Sequence, residues 1–172
     1  GRDAQRTAAF LREDLDELAE AFDGHTGALK LQVVGPWTLA ADLWLHRGER
    51  VIVDEGACRD LVESLAEGVR VHIAAVRALV PGAQIVLQVD EPSLPTVLAG
   101  RLPTSSGWGR LPSLDPQVAA AGLATVLGAH DGTGADGTRR CGPARRTGLH
   151  VAAGARRAAG GRDEILQHRC RL

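Results

Sequence analysis

Apolar residues at helical and strand spacings define the first predicted elements of the chain. Across residues 3–22, leucines and a phenylalanine recur at intervals of three and four with acids between them, which is the pattern of an amphipathic helix that ends before Gly24. Residues 28–34 form a short, mostly apolar run that stops at Gly35-Pro36, so we expect a buried strand that opens onto a turn. A short helix is predicted over residues 37–45.

The next two elements complete a strand, helix, strand unit. Asp54 is a candidate N-cap for a long helix to about Leu79, which Pro81-Gly82 ends. The predicted inner stripe of this helix is Leu61, Leu65, Val69, Ile73, Val76 and Val80. A second strand over residues 84–89 follows at once. Because this order is typical of a βαβ unit with parallel strands, the sequence predicts the α/β class.

The rest of the chain is predicted to contain a loop, a helix and a polar tail. Residues 90–112 are irregular, and long loops of this kind often carry function. Asp115 and Pro116 start a helix through about Ala129. Its predicted packing residues are Val118, Ala121, Leu123, Val126 and Leu127. Residues 131–172 are rich in Arg, Gly and Ala, so we expect either a disordered natural tail or translation in a shifted reading frame.

Composition narrows the function classes. The 20 basic and 21 acidic residues nearly cancel and arginines are scattered, so neither a nucleic-acid face nor a polybasic membrane anchor is predicted. No apolar run approaches the roughly 18 residues that span a bilayer, and the polar start is no signal peptide, so we expect a cytoplasmic location. Three distant cysteines suit free thiols or a metal ligand better than disulfides. Methionine is absent even at position 1, which indicates an internal piece of a longer chain.

Two motifs stand where the predicted parallel strands end. Gly35-Pro36-Trp37 follows the first strand and Asp90-Glu91-Pro92 follows the second. Functional groups collect at the carboxyl ends of parallel strands, because the loops there vary while the strands hold their bases. Paired carboxylates can bind an ammonium group or act as acid and base, although two acids in a polar turn give the same pattern.

The sequences around these motifs resemble a known family. Residues 29–40, LKLQVVGPWTLA, and residues 86–98, VLQVDEPSLPTVL, are similar to the Gly-Pro and Asp-Glu-Pro strand ends in the catalytic barrel of cobalamin-independent methionine synthases. The likeness is closest to the short, single-barrel actinobacterial members and covers about residues 1–130. It implies a partial (β/α)8 (TIM) barrel of the methionine synthase and uroporphyrinogen decarboxylase-like type, because a complete barrel needs about 250 residues.

The resemblance implies a methyltransferase of methionine biosynthesis. In this family a methyl group passes from a methylated folate to the zinc-bound thiol of homocysteine. By resemblance, Asp90 binds the amino group of homocysteine, and Glu91, Gly35, Pro36 and Trp37 complete the substrate-binding candidates. A carboxylate facing an ammonium group satisfies the charge requirement of such a contact.

The zinc ligands that the resemblance implies are not identified in this chain. The family places a His-x-Cys motif at the end of the next strand, and no strand that ends in this motif follows His130. His168-Arg169-Cys170 has matching letters without a preceding strand. The chain also has Thr96 where the family has an acid, and Asp42 where larger members have a folate-stacking tryptophan, although Trp37 and Trp44 flank that position.

Two other interpretations stay open. The chain could be a non-catalytic remnant of a barrel that self-associates through its open strand edges. It could also belong to another zinc or corrinoid methyltransferase or to a uroporphyrinogen decarboxylase-like barrel. The sequence leaves the methyl donor and the oligomeric state undetermined.

Overall fold

Two parallel strands form the centre of the fold in the computed structural model, which describes residues 1–46, 48–130 and the backbone of 150–152. β1 (Ala28–Val34) pairs with β2 (Gln84–Asp90) from Ala28↔Gln84 to Val34↔Asp90. The three-residue β3 (His150–Ala152) pairs in parallel with the other edge of β2, giving the order β1-β2-β3. The predicted α/β class and βαβ unit are confirmed.

Five helices surround these strands in the described residues: α1 (Arg2–Ala21), α2 (Pro36–Asp42), α3 (Glu55–Leu79), α4 (Leu94–Leu98) and α5 (Pro116–Gly128). A 3-10 turn, Val51–Val53, precedes α3. The predicted helix over residues 37–45 is shorter than expected, because Leu43 takes an extended conformation with φ −80° and ψ 142°. None of the described helices combines the length and apolar character that a membrane crossing requires.

Both predicted N-caps are confirmed. The Asp54 side chain accepts a hydrogen bond from the Ala57 N–H at 2.9 Å, and α3 begins at the next residue. The Asp115 carboxylate accepts from the Gln117 N–H at 2.6 Å, with Pro116 at the first helical position of α5. Each cap satisfies a backbone donor that the first turn of a helix leaves without a partner.

Alternate residues of the strands lie on opposite faces of the sheet. One face is buried in a common core with α3 and contains Leu29, Leu31, Ile85, Leu87 and Val89. The residues between them, which include Lys30, Gln32, Gln88 and Asp90, are exposed or half-buried on the other face. We call this second face the uncovered face. In a closed barrel it would be the interior.

The buried stripe of α3 differs from the prediction at its N-terminal half. Val69, Ile73, Val76 and the following Val80 are buried as expected, but Cys58 and Val62 are buried, whereas Leu61 and Leu65 are partly exposed. In an α-helix, residues four positions apart differ in direction by about 40°. Counting back from Ile73 in steps of four, this difference accumulates, so that Leu65 and Leu61 no longer face the core. Residues seven positions apart point in nearly the same direction, so Val62 lies on the same side of the helix as Val69.

The packing face of α5 was also predicted incorrectly in part. Its buried residues are Ala119, Gly122 and Val126, whereas Val118 is 49% exposed and Ala121 is exposed. Because this helix is apolar on nearly all sides, its sequence pattern does not determine which side packs. Contacts with α2 and α3 determine which side is buried.

The (β/α)8 barrel stays a prediction, since the described strands form an open three-stranded sheet. The prediction of a disordered or frame-shifted tail falls on residues 131–172, which lie outside the described residues except for β3. β3 was not predicted, because three residues are too few to show a strand period.

Candidate functional site

The two motifs found in the sequence meet at one edge of the sheet. Gly35 follows the last residue of β1, and its N–H donates a hydrogen bond to the Asp90 carbonyl at 2.8 Å. This bond continues the pairing of β1 and β2 beyond the end of β1. Gly35-Pro36-Trp37 and Asp90-Glu91-Pro92 are therefore neighbours at the carboxyl edge.

Glu91 binds the first turn of α2. Its side chain is 0% exposed. Oε1 accepts from the Trp37 N–H at 2.9 Å, and Oε2 accepts from the Thr38 N–H and the Thr38 hydroxyl, both at 2.7 Å. The two N–H groups belong to the first turn of α2 and have no acceptor within the helix. Glu91, which follows β2, thus caps α2, which follows β1. This contact holds the carboxyl ends of the two strands together.

Gly35 makes this close contact possible. A Cβ atom added at Gly35 would lie 2.4 Å from the Glu91 Cδ and from its Oε1. Pro36, at the first position of α2, is almost completely buried. Gly35 and Pro36 therefore shape the backbone of the edge and present no polar side chain to a ligand.

Two opposing effects act on the ionisation of Glu91. Burial raises the pKa of this carboxyl group above its ordinary value, while the hydrogen bonds from Thr38 and Trp37 lower it, and burial has the larger effect. All of the observed hydrogen bonds of the Glu91 carboxylate come from α2. The geometry supports a role for Glu91 in holding the carboxyl edge together.

Trp37 is a core residue in this arrangement. It is 2% exposed, and its Nε1–H donates to the Ala119 carbonyl at 2.9 Å. A Cβ atom at Gly122 would lie 2.4 Å from the Trp37 Cζ2, so the indole and α5 are in tight contact. Trp44, the other tryptophan near Asp42, is stacked by the Arg50 guanidinium, whose carbon lies 4.7 Å from the ring centroid.

A cavity of about 670 Å³ lies on the helical side of the fold. Its walls come from α3, α5 and the loop before α5, and include Trp37, Cys58, Val62 and Val118. Neither Asp90 nor Glu91 lines it. The buried Trp37 indole is thus shared between the carboxyl edge and the cavity wall, whereas the two carboxylates of the edge lie outside the cavity.

Asp90 is the polar group that the edge presents on the uncovered face. Its Oδ1 accepts from the Gln88 Nε2 at 2.8 Å, and its Oδ2 accepts from the Gln32 Nε2. The Lys30 Nζ donates to the Gln88 Oε1 at 3.2 Å. We call Lys30, Gln32, Gln88 and Asp90 the polar row. Sequence reasoning missed its first three members, although polar residues at alternate strand positions were the available signal.

The described residues do not fit the zinc site that the resemblance implies. No three His, Cys, Asp or Glu side chains in the described part of the chain are close enough to hold a metal ion. The side-chain hydrogen-bond partners of Asp90 are the amide groups of Gln32 and Gln88, which do not suit zinc. His130 is buried, with its Nε2 2.9 Å from the Ile85 carbonyl oxygen. His168-Arg169-Cys170, the other His and Cys residues considered for zinc, lie outside the described residues, as does Cys141.

Comparisons with protein-family models, with curated proteins and with solved structures found no match to this chain.

Proposed function

We propose that the carboxyl edge is the amino-acid-binding corner of a cytoplasmic methyltransferase of the methionine synthase type. In this proposal Asp90 holds the ammonium group of homocysteine, and the methyl group comes from a methylated folate-type donor. The observation that carries the proposal is the position of the Asp90 carboxylate. It ends β2 on the uncovered face and is oriented there by two side-chain amides.

The chemistry of Asp90 suits an ammonium ligand. Among the described residues, the ion pairs are Arg50 with Asp42 and Arg70 with Glu67, and neither involves Asp90. Its hydrogen bonds come from neutral amides, so an arriving ammonium group would add a stronger, charge-assisted bond. Because Glu91 follows directly and is fixed to α2, the backbone of Asp90 is rigid before any ligand binds.

The strand order agrees with a partial (β/α)8 barrel, in which strands that are consecutive in the chain are neighbours in the sheet. The order β1-β2-β3 has this arrangement, which one half of a doubly wound sheet shares. The described residues carry the amino-acid contact in this proposal, and we assign no step of the methyl transfer to them, because they offer no site for the metal.

Isothermal titration of the full chain with L-homocysteine tests the proposal. Asp90→Asn should weaken binding by about 10- to 100-fold, since a hydrogen bond to a charged group is lost. Asp60→Asn on the exposed surface of α3 removes one negative charge elsewhere and should leave the affinity unchanged. If Asp90→Asn binds homocysteine as tightly as the unmutated chain, the proposal is wrong.

A second candidate is a non-catalytic barrel remnant that self-associates. It is favoured by apolar side chains of α1, because Phe10 is 57% and Leu11 46% exposed, and by the uncovered face of the sheet. Apolar patches and free strand edges promote association between chains. A molar mass by light scattering that rises with concentration, together with no homocysteine binding, would favour this candidate over the enzyme.

A further inference from the structure

Lys30 and Asp90 lie at opposite ends of one glutamine side chain. The Lys30 Nζ donates to the Gln88 Oε1 at 3.2 Å, and the Gln88 Nε2 donates to the Asp90 Oδ1 at 2.8 Å. The row thus places a cation and an anion on the same face of the sheet, separated by a neutral amide. Gln32 holds the other oxygen of Asp90.

Lys30 contacts a residue that lies nearer the carboxyl edge than its own partner in the sheet. In the register of the sheet, Lys30 pairs with Val86, which lies two residues before Gln88 in β2. The hydrogen bond between Lys30 and Gln88 spans this offset, which the two long side chains cover between them. Because the Gln88 amide also donates to Asp90, one glutamine amide separates the Lys30 ammonium group from the carboxylate that ends β2.

A zwitterion has the matching arrangement of charges. An α-amino acid carries its ammonium and carboxylate groups on one carbon atom. A site that binds both groups through charged side chains therefore needs an anion and a cation a short distance apart. The carboxylate of Asp90 and the ammonium of Lys30 are such a pair. The Gln88 amide between them can donate and accept, so it can bond to either end of the ligand.

We infer that Lys30 binds the α-carboxylate of the amino acid whose ammonium group Asp90 holds. This inference rests on the proposed function and deepens it, because it makes the polar row selective for zwitterionic α-amino acids. Amines without a carboxylate would use Asp90 alone. Lys30 is also the chain's only lysine, which makes its contribution accessible to chemical labelling.

The affinities of the full chain for L-homocysteine and for 3-aminopropane-1-thiol, its decarboxylated counterpart, test this inference. Lys30→Gln should weaken homocysteine binding by about 10- to 100-fold and leave the aminothiol affinity unchanged. Lys30→Arg keeps the cation and should retain most of the preference for homocysteine. Arg6→Gln, an exposed change on α1, controls for the loss of one positive charge.

The outcomes separate this inference from the proposed function. If Lys30→Gln affects both ligands equally or neither, while Asp90→Asn weakens both, the inference is wrong and the proposed function survives. If Asp90→Asn affects neither ligand, or the unmutated chain binds neither, both are overturned. Selective loss of homocysteine affinity supports both.

A spectroscopic experiment gives a second, independent measurement. Reductive methylation with ¹³C-formaldehyde labels Lys30 and the amino terminus of the chain, and the Lys30 resonance is identified by its absence in Lys30→Gln. Homocysteine should shift this resonance, whereas the aminothiol should not. A Lys30 resonance that does not move at saturating homocysteine would contradict the contact.

Discussion

The Oε2 of Glu91 accepts two hydrogen bonds from Thr38, one from the backbone N–H and one from the hydroxyl, both at 2.7 Å. Thr38 also accepts a bond from the Ser93 N–H at its hydroxyl oxygen, at 3.2 Å. The two residues thereby connect the segment after β1 with the segment after β2. This contact holds the carboxyl edge, and Asp90 with it, in one arrangement.

Replacing Glu91 by glutamine should destabilise the fold by about 1–3 kcal/mol, because an amide nitrogen cannot accept from the donors of α2. Urea unfolding followed by tryptophan fluorescence measures the change, since Trp37 is buried beside this contact. Glu20→Gln, an exposed change on α1, is the matched control. A Glu91→Gln chain as stable as the unmutated one would show that the cap is unimportant.

The same experiment has a predicted pH dependence. Because the pKa of Glu91 is raised from 4.5, the folded chain holds this proton more tightly than the unfolded chain does. The part of the free energy of unfolding that is linked to protonation of Glu91 is therefore fully present below pH 4.5 and is lost as the pH rises through the higher pKa of the folded chain. Glu91→Gln should remove this component, and an unchanged pH profile would contradict it.

Two helical glycines should respond oppositely to alanine. In Gly122→Ala the new Cβ would lie 2.4 Å from the Trp37 Cζ2, so we expect a loss of about 1–3 kcal/mol from overpacking. Gly68, in the middle of α3, has no atom within 4 Å of an added Cβ. Gly68→Ala should gain about 0.5–1 kcal/mol through helix propensity. Thermal unfolding of both variants checks the contrast, which fails if the two shifts have the same sign.

Cys58 should be an unreactive thiol in the folded chain. Burial, together with the smaller effect of the negative charges of Asp54 and Glu55, raises the pKa of the Cys58 thiol to about 11. At pH 8 the thiolate fraction is then on the order of one in a thousand. A chain with Cys141→Ser and Cys170→Ser, which leaves Cys58 alone, should react with a thiol reagent far more slowly when folded than in denaturant. Equal rates would place Cys58 at the surface.

The features predicted from sequence are those encoded by neighbouring residues. The bounds of β1 follow from an apolar run stopped by Gly35-Pro36, and the caps of α3 and α5 use side chains that accept from backbone N–H donors within three residues. The meeting of the two motifs follows from parallel pairing. These inferences required no knowledge of how the strands are aligned.

The features that escaped prediction depend on alignment between distant segments. The Glu91 cap joins residues 53 and 54 positions apart, and the Lys30 bond to Gln88 joins residues 58 apart. The register of β1 against β2 determines which polar side chains are in contact. This register cannot be predicted from the pattern of residues within either strand. The buried face of α5 was predicted incorrectly in part for a related reason. The helix is apolar on nearly all sides, so only its contacts with α2 and α3 determine which face is buried.

The close approach of Gly35 to Glu91 couples the evolution of two positions that are far apart in the chain. They share one small volume, so a larger residue at position 35 is tolerable only with a shorter side chain at position 91, and a shorter acid there would no longer reach both donors of α2. In a library that randomises this edge, functional sequences should keep or exchange these residues as a set. Substitutions in the two motifs of the carboxyl edge are therefore expected to depend on each other, although the motifs are far apart in the sequence.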